Sequence, residues 1–223
     1  MKLLEKSPVL LIALSVLIYC CGGAKKDKAI RNQANGIVSE KDTTWLFNGK
    51  DLDGWEITNF GPQGPVYVSG GSIILGMGDG CTGITWKKDF PEINYKVSLD
   101  AKRVAGNDFF CGMTFPVGKE PCSLIVGGWG GAIVGLSSIN SMDASENQTT
   151  NFMQFEKDRW YRINLLVWGD TIRALIDDEV VVNYVKGKND ELSIRPEVEL
   201  SKPFGIASWY TTAELRNIRL ERI

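Results

Sequence analysis

Side chains alternate between apolar and polar at every second position through almost all of residues 44–223, and that period decides the fold class. Successive side chains of a strand point to opposite faces, so one apolar row per segment means sheets buried on one side. Over 94–102, Tyr95, Val97, Leu99 and Ala101 alternate with Asn94, Lys96, Ser98, Asp100 and Lys102. Tyr161, Ile163, Leu165 and Val167 mark a strand over 160–168, and Ile172, Ala174 and Ile176 another over 171–176. Asp177-Asp178-Glu179 then leads into Val180-Val181-Val182, a hairpin signal. Further strands are expected at 66–68, 73–75, 83–86, 109–115, 123–126, 132–137, 204–209 and 214–221. Glycine-rich turns such as Gly61-Pro62-Gln63-Gly64-Pro65 separate them, and no stretch carries a helical stripe. About a dozen short strands in a single domain predict an all-β fold, a two-sheet sandwich or jelly roll. A domain of this size buries about 70% of its unfolded surface, so it needs neither metal nor disulfide to fold.

The N-terminus reads differently. Lys2 and Lys6 flank the start of an apolar run from Val9 to Ile18, about half the roughly twenty residues that span a bilayer. Residues 1–20 therefore read as a secretory leader. Leu17-Ile18-Tyr19-Cys20 resembles a bacterial lipobox, whose cysteine is acylated and becomes the new N-terminus. Cys21 competes with Cys20 for that role, and an ordinary signal peptide is the other reading. Both put the mature chain outside the cytosol, secreted or held at the cell envelope, touching membrane only through an N-terminal lipid. Residues 21–43 are rich in Lys, Asp, Asn, Gln and Ser and read as a polar tether, with the folded domain over 44–223.

Composition narrows the chemistry. Lysine plus arginine is 25 and aspartate plus glutamate 27, a net charge of −2 with no basic run. Nucleic acid is not an expected partner, since nothing would neutralise its phosphates. Histidine is absent, which excludes a Ser-His-Asp or Cys-His nucleophile and an HExxH zinc site. The domain's cysteines are Cys81, Cys111 and Cys122, without CxxC spacing, so no structural zinc is expected. Cys111 and Cys122 flank the turn segment 115–121, and either a cross-strand disulfide or two buried thiols would fit.

Two motifs carry a resemblance. Trp45-Leu46-Phe47-Asn48-Gly49-Lys50-Asp51-Leu52-Asp53-Gly54-Trp55 resembles the opening of the 3-keto-disaccharide hydrolase family. Phe204-Gly205-Ile206-Ala207 and Leu215-Arg216-Asn217-Ile218-Arg219-Leu220 resemble its closing strand pair. Together they bracket residues 45–220. The resemblance implies a jelly roll of the concanavalin A-like lectin/glucanase type, exported and acting on glycosides, in particular those oxidised at C3. Its middle departs from the family. Gly106-Asn107-Asp108-Phe109-Phe110 stands where members carry an NSG turn, and Gly127–Gly135 where they carry a YExQ-like strand. The histidine that members often place near the last strand pair is missing, so the family's catalytic residues do not transfer automatically.

The residues themselves suggest a site. Cleaving a glycoside needs an acid and a second group across the sugar ring. A ketone at C3 opens another route, because it acidifies the C2 proton and lets the aglycone leave from an enolate. Asp143 and Glu146, in the polar segment 137–147, and Asp108, in the turn before a strand, are the candidate carboxylates. Trp129 among four glycines and Trp209 beside the last strand are candidate sugar platforms. Arg103, Asn107 and Asn140 complete the candidate substrate contacts, and either Glu197 or Glu199 is placed to point into a cleft. Each also has a plain structural reading, as a solvated turn, a buried aromatic or a surface arginine. No cofactor is required, although the same oxygens suit Ca²⁺ without EF-hand spacing. Asn147-Gln148-Thr149 matches a glycosylation sequon. The expectation is an exported glycoside hydrolase for 3-keto-disaccharides, with a carbohydrate-binding module that turns nothing over as the alternative.

Overall fold

The alternating segments pair into two antiparallel sheets in a computed structural model that describes residues 43–223. The leader over 1–20 with Cys20 and Cys21, and the tether as far as residue 42, lie outside the described residues. Sheet A holds β1 (Thr43–Trp45), β3 (Val66–Ser69), β4 (Ser72–Leu75), β6 (Tyr95–Gly106), β11 (Trp160–Trp168), β12 (Thr171–Ile176), β13 (Glu179–Val185) and β15 (Thr211–Arg222). Its order is β13-β12-β11-β6-β15-β4-β3, with β1 on a further flank of β15. Sheet B holds β2 (Trp55–Ile57), β5 (Cys81–Trp86), β7 (Cys111–Val117), β8 (Glu120–Gly128), β9 (Ile133–Ser137), β10 (Asn151–Phe152) and β14 (Gly205–Trp209). It runs β10-β9-β8-β7-β14-β5-β2. The expected two-sheet jelly roll is the fold.

Between the sheets lies one apolar core. Tyr95, Val97, Leu99 and Ala101 of β6 and Tyr161, Ile163, Leu165 and Val167 of β11 face Met113, Phe115, Leu124, Val126 and Ile206 from sheet B. β11 and β12 occupy the ranges that their alternation predicts, because local period and tertiary burial agree there. β15 breaks the period once. Its register shifts between Arg216 and Arg219, with Asn217 at φ 55°, so Ala213 and Leu215 before the bulge and Ile218 and Leu220 after it all reach the core. The strands without a sequence signal are β1, β2 and β10, of two or three residues each. They exist through pairing alone, as in Thr43↔Glu221.

The opening motif turns out to be a folded turn. The Asn48 side-chain oxygen accepts the amides of Lys50 and Asp51, and Trp55 donates its indole N–H to the Leu46 carbonyl at 2.7 Å. Gly54, at φ +82°, lies against Trp86, where any Cβ would meet the ring at 2.6 Å. Cys81, Cys111 and Cys122 are free, buried thiols. Register rules out the disulfide: Cys122 lies opposite Phe115, whereas Cys111 lies opposite Val126.

The outer face of sheet B positions the site. On the strands facing the core, every alternate residue points outward, and in sheet B most of these are small: Gly83, Thr85, Gly112, Thr114, Ser123, Gly135, Ser137, Gly205 and Ala207, with Ile125, Ile133 and Trp209 the bulky ones. Connections fold back over this floor. The 144–149 segment lies on Gly135, and a short 3₁₀ helix, Pro196–Ser201, lies on Gly205.

Candidate functional site

A cleft of about 200 Å³ remains on that face. Its floor comes from Cys81 of β5, Ser123 and Ile125 of β8, Ser137 of β9 and Trp209 of β14. Asp108 and Phe109 enter from the β6–β7 connection, Trp129 from the β8–β9 turn, Arg195 from the residue before the 3₁₀ helix, and Glu197 and Val198 from its first turn.

One end is aromatic. Phe109 stacks on Trp209 with ring centroids 6.4 Å apart, and Trp209 meets Tyr210 edge-on at 5.1 Å. Tyr210 is anchored by donating its hydroxyl to Asp79 at 2.7 Å. Trp129 is 41% exposed and sits at φ 48°, a left-handed conformation that Gly130 and Gly131 after it continue. Its turn is tied to Asp108, whose carboxylate accepts the amides of Phe109 at 2.7 Å and of Gly130 at 3.3 Å.

The other end is charged. Arg195 donates through Nη1 to Asp143 at 2.5 Å, and through Nε and Nη2 to Glu197 at 3.4 and 3.2 Å. The Asp143 oxygen turned away from Arg195 accepts the hydroxyls of Ser137 at 2.9 Å and Ser138 at 3.1 Å. The hydrogen bond to Glu197, reinforced by Asp143, raises the Arg195 pKa, and the same bond holds Glu197 below the usual carboxylate range. Burial first, and then the charge of Glu197, pushes the Cys81 thiol up to about 12, so it is neutral in the cleft.

Of the residues singled out in the sequence, Asp108, Trp129 and Trp209 line the cleft. Asp143 stands one hydrogen bond behind it. Glu197 faces in, while Glu199 pairs with Lys202. The structure does not bring the others to the cleft wall. Glu146 is exposed on the outside of its loop. Asn140 is exposed and clasps a neighbouring turn, bonding Asp190 and the Glu191 amide, each at 2.9 Å. Asn107 is exposed, its carbonyl against Gly131. Arg103 donates to the Phe155 carbonyl at 2.5 Å and so braces the loop from behind. Arg195, ahead of the 3₁₀ helix, carried no readable signal, and Ser123 and Ser137 none beyond standing next to Leu124 and Leu136 on their strands. Among the described residues no three of His, Cys, Asp or Glu gather as a metal would require.

A second, polar depression of about 290 Å³ lies on the outer face of sheet A around Trp160. Its indole already carries the Arg216 guanidinium at 3.9 Å and the Lys102 ammonium at 4.8 Å, which occupies the surface a sugar would stack on.

Comparison with known structures returns the same architecture. A putative glycosyl hydrolase from Parabacteroides distasonis superposes with a TM-score of 0.54 at 15% identity, covering 84% of this chain and 98% of that one. The carbohydrate-binding module CBM66 from Bacillus subtilis gives 0.53 at 18% identity, covering 80% and 99%. The Crh5 transglycosylase in complex with NAG gives 0.56 at 15% identity, covering 84% and 86%. At such identities the likeness is one of fold. No protein of curated function matches the sequence. A family model described as the 3-keto-alpha-glucoside-1,2-lyase-like domain matches residues 42–221. The span agrees with the two end motifs, and the chain belongs to the 3-keto-disaccharide hydrolase family, the 3-keto-alpha-glucoside-1,2-lyase-like group of jelly rolls.

Proposed function

We propose that the protein cleaves the glycosidic bond of 3-keto-glycosides, disaccharides among them, by elimination and rehydration. The observation that carries this reading is one cleft lined by a carboxylate, Asp108, a guanidinium, Arg195, and two indoles, Trp129 and Trp209. The sugar ring stacks on an indole face. Asp108 takes the C2 proton, and the electron pair moves onto the C3 oxygen as an enolate, which accepts hydrogen bonds from Arg195. The carbonyl re-forms, C1=C2 forms, and the C1–O bond breaks. Asp108 returns its proton to the leaving oxygen. Water then adds across C1=C2, hydroxyl to C1 and proton to C2, so the net change is hydrolysis. Glu197 is a poor acid because Arg195 keeps it ionised, which leaves Asp108 to serve both steps.

Family membership supports the substrate class, and the leader read over residues 1–20 supports placing the activity outside the cytosol. The test is incubation with 3-keto-trehalose and 3-keto-lactose in D₂O. Release of monosaccharide with deuterium at C2 of the 3-keto sugar, beyond the enzyme-free control, is expected. Asp108→Asn should lower turnover by roughly 10²–10⁴-fold, the usual weight of a general base. Saturable binding without product would instead make this jelly roll a carbohydrate-binding module.

A further inference from the structure

We infer that Asp143 is a positioning residue that aims Arg195, and that it takes no proton itself. The inference rests on the reading of Arg195 as the donor to the enolate oxygen. A guanidinium has five N–H groups. Glu197 takes two of them, at Nε and Nη2, and Asp143 takes one, at Nη1. Two remain, one on each terminal nitrogen, for a ligand.

The two carboxylates hold the guanidinium differently. Glu197 is two residues from Arg195 on the same segment and moves with it. Asp143 is 52 residues away and belongs to a different connection. It is fixed to the floor of sheet B by Ser137, the last residue of β9, and by Ser138. The backbone on either side of Arg195 is held by the paired amides of Ser138 and Ser193 and by the helix on Gly205; of the two carboxylates, Asp143 is the one that ties the guanidinium itself to the sheet on which the sugar would lie. An arginine untethered at its tip would lose rotamer freedom each time it met the enolate. Held by Asp143, it meets the developing charge already oriented, which acts on the transition state more than on the ground state. Asp143 itself does not line the cleft, and its second oxygen is already taken by the hydroxyls of Ser137 and Ser138.

Asp143→Asn separates this role from direct acid–base work. Turnover of 3-keto-trehalose should fall about tenfold or more, the weight of one charge-assisted contact, with KM changed less than threefold. The acid limb of the rate profile should stay where it is in the wild-type protein. Asp143→Glu should recover part of the rate, and Asp143→Asn combined with Arg195→Lys should be no slower than Arg195→Lys alone. Ser138→Ala, which removes one anchor outside the cleft, should show the same kcat pattern at smaller amplitude even if the Asp143 variants fold badly. Wild-type kcat in Asp143→Asn, loss of the acid limb, or additive losses would each overturn the assignment. If the wild-type protein turns over no 3-keto-glycoside, the elimination reading fails on its own. The positioning claim is then read from 3-keto-trehalose affinity, followed by tryptophan fluorescence. Parallel weakening in Asp143→Asn and Arg195→Lys supports it, and unchanged affinity or absent binding overturns it.

Discussion

Three thiols show how a residue's chemistry follows from its register. Cys81, Cys111 and Cys122 are buried, and burial pushes each from an ordinary 9.0 up to about 12. The thiolate is thus favoured in the unfolded chain above pH 9, and the folded state holds its protons longer. Stability from this source is complete below pH 9 and is lost as pH rises from 9 toward 12. Urea midpoints should be level from pH 7 to 8.5 and fall by pH 10.5, more steeply than in a variant with all three replaced by alanine or serine. At pH 8 these cysteines should resist a thiol reagent in the native protein and react in urea, as peptide mapping would show. Spacing alone leaves a disulfide between Cys111 and Cys122 open; only the pairing of Cys122 with Phe115 closes it.

At the scale of elements, the connection between β9 and β10 is the one that carries Asp143, and a single side chain organises it. Asn147 is buried, and its amide donates to the carbonyls of Leu136, Met142 and Asp143 at 2.7, 3.0 and 2.9 Å. Its oxygen accepts from the amide and hydroxyl of Thr149. The sequon is therefore spent on internal hydrogen bonds. Asn147→Ala should cost about 2–4 kcal/mol of stability in urea unfolding, since each buried bond is worth about 1 kcal/mol and stranded carbonyls add to that. Here the sequence was readable in part. The Asp, Ser and Asn content predicts a turn-rich loop carrying a useful carboxylate, and the loop does carry Asp143. It could not separate Asp143, turned toward Arg195, from Glu146 three residues on, turned to solvent. Loops have no period from which to read a side chain's direction. The 3₁₀ helix at Pro196–Ser201 was hidden for the same reason: six residues packed on Gly205 need no stripe of their own.

For the molecule as a whole, charge is balanced overall and unbalanced locally. The chain carries a net −2, yet in and behind the cleft the one guanidinium, Arg195, is outnumbered by three carboxylates: Glu197 and Asp143, which it pairs with, and Asp108 on the cleft wall. That local excess of negative charge disfavours a ligand that brings more of it. Neutral 3-keto-glycosides should be preferred over uronides or phosphorylated sugars of the same linkage by tenfold or more in kcat/KM. The gap should narrow as salt screens the cleft. Equal rates for neutral and anionic substrates at low salt would count against the cleft as the site.

What the sequence determined by itself was the all-β class, the identity of the core rows and the family, because alternation and a turn motif such as Asn48-Gly49-Lys50-Asp51 are local and need no partner to be read. The site was decided by the tertiary structure. Arg195 and Asp143 lie 52 residues apart, Asp108 and Gly130 lie 22 apart, and the small residues beneath them become a floor only once β5, β14, β7, β8 and β9 pair side by side. Which polar groups converge depends on strand order and register, and those are settled by burying the apolar faces, with the polar ones carried along.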